Sequence, residues 1–358
     1  MVQIAKFPPK LLGQLGFKIR PLPNFFFLLF ASFAVLSASA VSFSSHAIDN
    51  SQWPVFAAEL SEATIQECQN RQCTLNALTH EDYAKALSAH PLSDEVFEAL
   101  SLSEYELLIS SAIKIDDEKI STLLLEMTTS WRGIPIDDYT QCVSVDKSIE
   151  TSTESIINAW VEYVQSQNVF DAQRIYRVIG ASDYMQQLTL PDKIGEFVFM
   201  ETALYHDPLQ GSISRYVHPQ YADAVVDISV YPVSPFVHQQ ISSIAASDSP
   251  LASEMENEKS HIKSLIQKAK VEDYKISDIQ PANIHSSKGD VSGLSLEVAL
   301  QTTVDPIYST QFLFTQNDKF IKLTGNLPKH MMLALVEQSI GEIRVPQESL
   351  FMQSMRQH

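Results

Sequence analysis

From Pro191 to Pro346 apolar and polar residues alternate in short runs. Val226, Ile228 and Val230 fall on one side of an extended segment, and Asp227, Ser229 and Tyr231 on the other. Leu294, Leu296, Val298 and Leu300 repeat the pattern against Ser295, Glu297 and Gln301. Strand side chains alternate faces, so these runs predict an antiparallel sheet with one covered and one wet face. Val226, Ile228, Val230, Leu294, Leu296 and Val298 are expected inside, and Glu297 outside. Phe312 and Phe314, then Ile321 and Leu323, add strands, with a tight turn at Asn317-Asp318.

Elsewhere the period changes. Ser249 before Pro250 is an N-cap followed by proline at the first helical position, and Leu251, Met255, Ile262, Leu265, Ile266 and Ala269 continue as a helical stripe. A second helix is predicted from about Asn326-Leu327-Pro328 through Met332, Leu335, Val336 and Ile340, closed by Gly341. Residues 48–187 read as all helix. Thr79 caps His80, Glu81 and Asp82, and Leu102, Tyr105, Leu108, Ile109 and Ala112 keep helical spacing. So do Ile120, Leu123, Leu124 and Met127, then Ile156, Trp160, Val161 and Val164, then Ile175, Val178 and Ile179. No glycine occurs from Phe17 through Arg132, which argues against tight turns, and Trp131 to Lys147 reads as a loop. The expected fold class is α+β: an all-helical N-terminal half, then an antiparallel sheet covered by two helices. The expected divisions are 1–47, 48–187, 188–346 and a C-terminal tail, 347–358.

The predicted order β-β-β-α-β-β-β-β-α over 191–346 resembles the PsbP-like α+β fold, named after an extrinsic photosystem II subunit. Three phrases resemble a family of uncharacterised bacterial proteins: Leu190 to Phe197 (LPDKIGEF), Ala224 to Pro232 (AVVDISVYP) and Asp318 to Leu323 (DKFIKL). The resemblance covers about 155 residues. It implies a binding or assembly role and supplies no catalytic residue.

Residues 1–47 carry Lys6, Lys10, Lys18 and Arg20 with no acid, then an apolar run from Phe25 to Val41 and small residues at Ala38-Ser39-Ala40 and Ser45-His46-Ala47. That is the layout of a secretory signal peptide; the alternative is an uncleaved membrane anchor. A periplasmic or secreted location follows. With those four cations set aside, the net charge of −18 becomes −22, which repels phosphate backbones and argues against nucleic acid. In an oxidising compartment Cys68 and Cys73, four residues between them, predict a disulfide, with free thiols or a metal as alternatives and Cys142 left over.

No Gly-x-Ser-x-Gly elbow or His-Glu-x-x-His helix is present. The sharpest metal candidates are Glu258 and His261, three apart on one helix face with Glu254 a turn away; the alternative is a solvated polar face. His206-Asp207, ahead of Pro208, suits a turn or a catalytic pair. His218 and His238 could join a cluster if the fold brought them together. Tyr216, Tyr221, Tyr231 and Phe236 read as sheet-face packing or an interface patch, with a cofactor box as the alternative. The expectation is an exported, non-enzymatic binding or assembly protein, without cofactor, for another envelope protein or a small ligand. The alternative is a metal-dependent or other enzyme with its site in the C-terminal domain.

Overall fold

The computed structural model describes residues 54–69, 73–75, 79–88, 104–117, 120–145, 149–234, 249–286, 288–301 and 305–357. The expected signal segment lies outside them. Two sheets dominate, so the chain is mostly β. This corrects the expected all-helical N-terminal half.

Strands β1 (Val55–Ala57), β2 (Cys73–Leu75), β3 (Tyr105–Asp117), β4 (Ile120–Trp131) and β5 (Ile134–Val145) form the first sheet, interleaved with α1 (Glu62–Gln69) and α2 (His80–Ser88). β3, β4 and β5 are a long antiparallel meander, while β1 lies parallel to β3. Tyr105, Leu107 and Ile109 face inward opposite Trp131, Thr129 and Met127. Runs such as Leu107-Leu108-Ile109 and Leu123-Leu124-Leu125 satisfy spacings of both two and three-to-four, which is why the helical reading went astray. The expected loop after Trp131 is a turn and a strand. Arg132 (φ 47) and Gly133 (φ 78) are both left-handed, the geometry of a two-residue hairpin turn that matches strand twist.

Helices α3 (Ile149–Ser166) and α4 (Ala172–Ile179) follow, with Ile156, Trp160, Val161 and Val164 buried on the first sheet. α2 keeps its predicted cap: Thr79 N donates to Asp82 Oδ2 at 3.0 Å and Asp82 N to Thr79 Oγ1 at 3.3 Å. A one-turn helix, α5 (Tyr184–Gln187), leads into the second sheet.

That sheet has nine strands, every neighbour antiparallel: β6 (Lys193–Ile194), β7 (Phe197–Leu204), β8 (Ser212–Val217), β9 (Val225–Pro232), β10 (Tyr274–Ile276), β11 (Gln280–Ser286), β12 (Gly289–Leu300), β13 (Ile307–Gln316) and β14 (Lys319–Gly325). Its order is β10-β12-β13-β14-β9-β8-β7-β6, with β11 also on β12. Helix α6 (Pro250–Lys268) lies between β9 and β10 in sequence, and α7 (Lys329–Ser339) follows β14. At Gly211 an added Cβ would sit 2.0 Å from Val230 O, so only glycine lets the chain enter β8 so close to β9.

Both faces of the central strands are buried, which corrects the expectation of one wet face. Val226, Ile228, Val230, Phe312 and Leu323 pack with Met332, Leu335 and Val336 of α7. Leu296, Val298, Leu313 and Phe320 pack on the other side with Met255, Ile262 and Ile266 of α6. The six residues expected to share an interior face therefore divide between two cores. Glu297 is not a free surface residue either: its Oε2 accepts from Lys329 N at 2.6 Å, capping α7, whose N-cap Pro328 offers no side-chain bond. Glu297→Ala is expected to cost about 1 kcal/mol, read as a urea midpoint; an unchanged midpoint would show that α7 does not depend on this cap.

Residues 347–358, expected as a tail, carry α8 (Leu350–Gln357), and Phe351 and Met352 return to the core of the first sheet. Phe351 N donates to Gly180 O at 3.2 Å. The two halves also meet where Arg132 Nη2 donates to Asp207 Oδ2 at 2.9 Å and Glu104 Oε1 at 2.6 Å.

Candidate functional site

α6 starts as its sequence predicts, with Ser249 Oγ accepting from Ala252 N at 3.3 Å. Its apolar stripe seats it on the sheet, and beside that stripe Glu254 and Glu258 are buried against β9 and β14. Alternation on those strands brings Asp227, Ser229 and Tyr231 alongside Thr324, Lys322 and Phe320. Tyr231 Oη donates to Glu254 Oε1 at 2.8 Å, and Lys322 Nζ donates to Glu258 Oε1 at 2.7 Å while lying 5.6 Å from the Tyr231 ring centroid. Arg215 grips Asp227 with two bonds, of 2.9 and 3.0 Å. Glu258 is thus an internal ion-pair partner, not part of a solvated polar face.

Three carboxylates in this seam (Asp227, Glu254, Glu258) face two cations (Arg215, Lys322). Burial pushes the Glu254 carboxyl above its ordinary value of 4.5, against the opposing hydrogen bond from Tyr231, so the seam favours a proton there. Burial also pushes the Tyr231 hydroxyl well above its usual range and Tyr205 up to about 12. Above pH 4.5 the folded chain retains the Glu254 proton where the unfolded chain releases it. The folded state then binds more protons, so this contribution to stability is complete below pH 4.5 and declines as pH rises through the folded value. Glu254→Gln keeps an acceptor for Tyr231. It is expected to flatten that part of the pH profile and to raise the urea midpoint at alkaline pH; a lower midpoint there would show that the ionised carboxylate is favoured in the fold.

The other candidates are dispersed into local roles. His261 stands one turn beyond Glu258, and neither its Nε2 nor the buried Oε1 of Gln311 has a hydrogen-bond partner among the described residues. His206 is half-buried, and burial lowers its pKa. Its neighbour Asp207 organises a turn: Oδ1 accepts from Leu209 N at 2.8 Å while Oδ2 takes Arg132. His218 is buried between Phe197 and Tyr221, with Nε2 2.8 Å from Glu196 Oε2 and Nδ1 accepting from Gln220 N. His238 and Phe236 lie outside the described residues. Among the described residues no three His, Cys, Asp or Glu side chains gather as a metal site. Tyr216 Oη donates to Pro191 O at 2.7 Å.

Cys68 and Cys73 form a disulfide that ties α1 to β2, which suits an extracellular or lumenal protein, and Cys142 is free and exposed on β5. No helix among the described residues is long and apolar enough to cross a membrane. An open cleft lies between the β13–β14 turn and the start of α6, lined by Asn317, Ser249 and Arg356 among others. Its cation, Arg356, is engaged by Glu348 and by Val233 O.

The feature that sequence reasoning missed is the open edge of the second sheet. Gly195 (φ 59) turns the chain after the two-residue β6, so β6 pairs only with Phe197 and Val198. Phe199 N still reaches Asp192 O at 3.0 Å. From Met200 to Leu204, β7 has β8 on one side and no backbone partner on the other among the described residues. A bulge at Met200 places Phe199 and Met200 together opposite Tyr216, and they are 37% and 58% exposed. The signal was present in Phe197-Val198-Phe199-Met200, an apolar run too continuous for one clean alternating face.

No family model and no curated protein matches the sequence. Among solved structures, cyanobacterial PsbP (CyanoP) from Synechocystis sp. PCC 6803 is similar at 10% identity and a TM-score of 0.27, over 44% of this chain and 92% of that one. The apo immunity protein TplEi of the T6SS from Pseudomonas aeruginosa is similar at 11% identity and a TM-score of 0.23, over 67% of this chain and 74% of that one. At these scores neither likeness establishes a shared fold.

Proposed function

We propose that this protein is an exported binding or assembly factor that docks another envelope protein on the open edge of its second sheet. The observation that carries this reading is the exposure of Phe199 and Met200 on a strand that has no ladder partner on one side among the described residues. Large apolar side chains beside free backbone groups on a sheet edge are what a protein partner covers. The basic, apolar and small-residue order of residues 1–47 and the Cys68–Cys73 bridge support the compartment.

A photo-crosslinking residue at Met200 is expected to trap one defined protein in the envelope, and the same residue at exposed Lys263 on α6 is not. The purified partner should then bind Met200→Lys at least tenfold more weakly than the parent chain. Equal trapping at both positions, or equal affinity for parent and variant, would remove the edge from the docking surface.

A further inference from the structure

We infer that the open edge of β7 takes up an extended polypeptide segment as an additional strand, one that alternates apolar and basic residues. The inference rests on the docking reading above and deepens it by naming the partner's chemistry. Backbone groups decide the shape of the occupant. Past the bulge, Glu201, Thr202, Ala203 and Leu204 are in regular register with Arg215, Ser214, Ile213 and Ser212, so the outward donors and acceptors keep the spacing of a strand. An extended segment satisfies them; a helix, whose backbone groups are already paired, does not.

The other long edges are blunted. β5 has Pro135 as its second residue and carries Asp137 and Asp138, β11 contains Pro281, and β10 has three residues. Proline, charge and short length are the usual protection of an edge. The free part of β7, Met200 to Leu204, has no proline, and exposed Phe199 and Met200 stand at its start.

Side chains decide the composition. Phe199 and Met200 stand on the face of Tyr216, whereas Glu201 stands on the opposite face beside Arg215. Arg215 is already held by Asp227. Around the edge Asp192, Glu196 and Glu201 are exposed against Lys193. A strand laid against β7 therefore meets an apolar surface on one face and a carboxylate on the other. Cross-strand neighbours pair like with like for apolar groups and opposite for charges, so alternate residues of the incoming strand are apolar and basic. A second copy of this chain fits poorly, since it would bring its own Glu201 and a net charge of −18 to the same place.

The probe is a blocked decapeptide of alternating valine and lysine, added to the full chain, with hydrogen exchange followed by mass spectrometry. The outward-pointing amides of Met200–Leu204 are expected to exchange at least tenfold more slowly with the peptide present, while those already bonded to β8 and those of β5 are unchanged. The alternating valine–glutamate peptide and a valine–lysine peptide broken by a central proline should give less than a threefold effect. Glu201→Gln should weaken the valine–lysine peptide at least threefold, and Met200→Lys at least tenfold. Strand addition is overturned if Met200–Leu204 stay unprotected, if β5 and β11 are protected equally, or if the proline-broken peptide does as well. A crosslinked dimer, or crosslinks from Met200 only to this chain's own residues, would assign the edge to a second copy or to itself, against the inference. If Met200 traps a heterologous partner while those amides stay unprotected, the docking reading survives and strand addition falls; if both fail, both readings fall.

Discussion

Lys322→Met is expected to destabilise the protein by about 3–5 kcal/mol, because it leaves a buried carboxylate without its cation. Lys322 and Glu258 side chains are 4% and 6% exposed, and their 2.7 Å bond is made under α6, where water cannot replace it. Glu254, four residues earlier on α6, adds a second acidic group, and the seam's other cation, Arg215, is committed to Asp227. Lys322→Met combined with Glu258→Leu should recover most of the loss, since replacing a whole buried pair by apolar residues of similar size is often neutral or better. Urea titrations of the parent, both single variants and the double variant give the coupling directly. A loss below about 1 kcal/mol for Lys322→Met, or no recovery in the double variant, would show that Glu258 finds water or another partner when the lysine is gone.

Phe351→Ala should cost a similar amount, about 3–5 kcal/mol, and the loss should appear in the first sheet. Phe351 is 6% exposed and meets the Trp131 ring edge-on at a centroid distance of 5.9 Å. Removing it opens a cavity beside β3 and β4. Its neighbour Leu350 is 75% exposed, so Leu350→Ala should stay within about ±0.5 kcal/mol. Hydrogen exchange of β3 and β4 amides in both variants tests the location as well as the size. Equal effects of the two substitutions would mean that α8 is turned about its axis relative to the arrangement described.

How far the sequence could be read differs between the halves, for a physical reason. The second half declares strands such as β9 and β12 because polar residues interrupt their apolar ones at alternate places, and Ser249-Pro250 and Asn317-Asp318 mark element boundaries with backbone chemistry. In the first half β3 and β4 carry consecutive apolar residues, and a run such as Leu123-Leu124-Leu125 looks the same at both periods. The turn that joins β4 to β5 needs a single glycine, so a scarcity of glycine says little about hairpins. The seam under α6 was half legible. Glu258 and His261 were visible as neighbours on a helix, but Lys322 is 64 residues from Glu258 in the chain, and only the sheet brings it there. Glu297 shows the same limit: its place on a strand was readable, whereas its bond to Lys329 N depends on where α7 begins.

The return of α8 to the first sheet also bears on when that sheet can be finished. Phe351 follows Trp131 by 220 residues, so the core around Trp131 can be sealed only after the whole second sheet has been synthesised. Loop closure over such a span is slow compared with pairing within the β3–β5 meander. The first sheet should therefore pass through a state with paired strands and an unsealed hydrophobic face, which is the kind of intermediate that aggregates or recruits a chaperone.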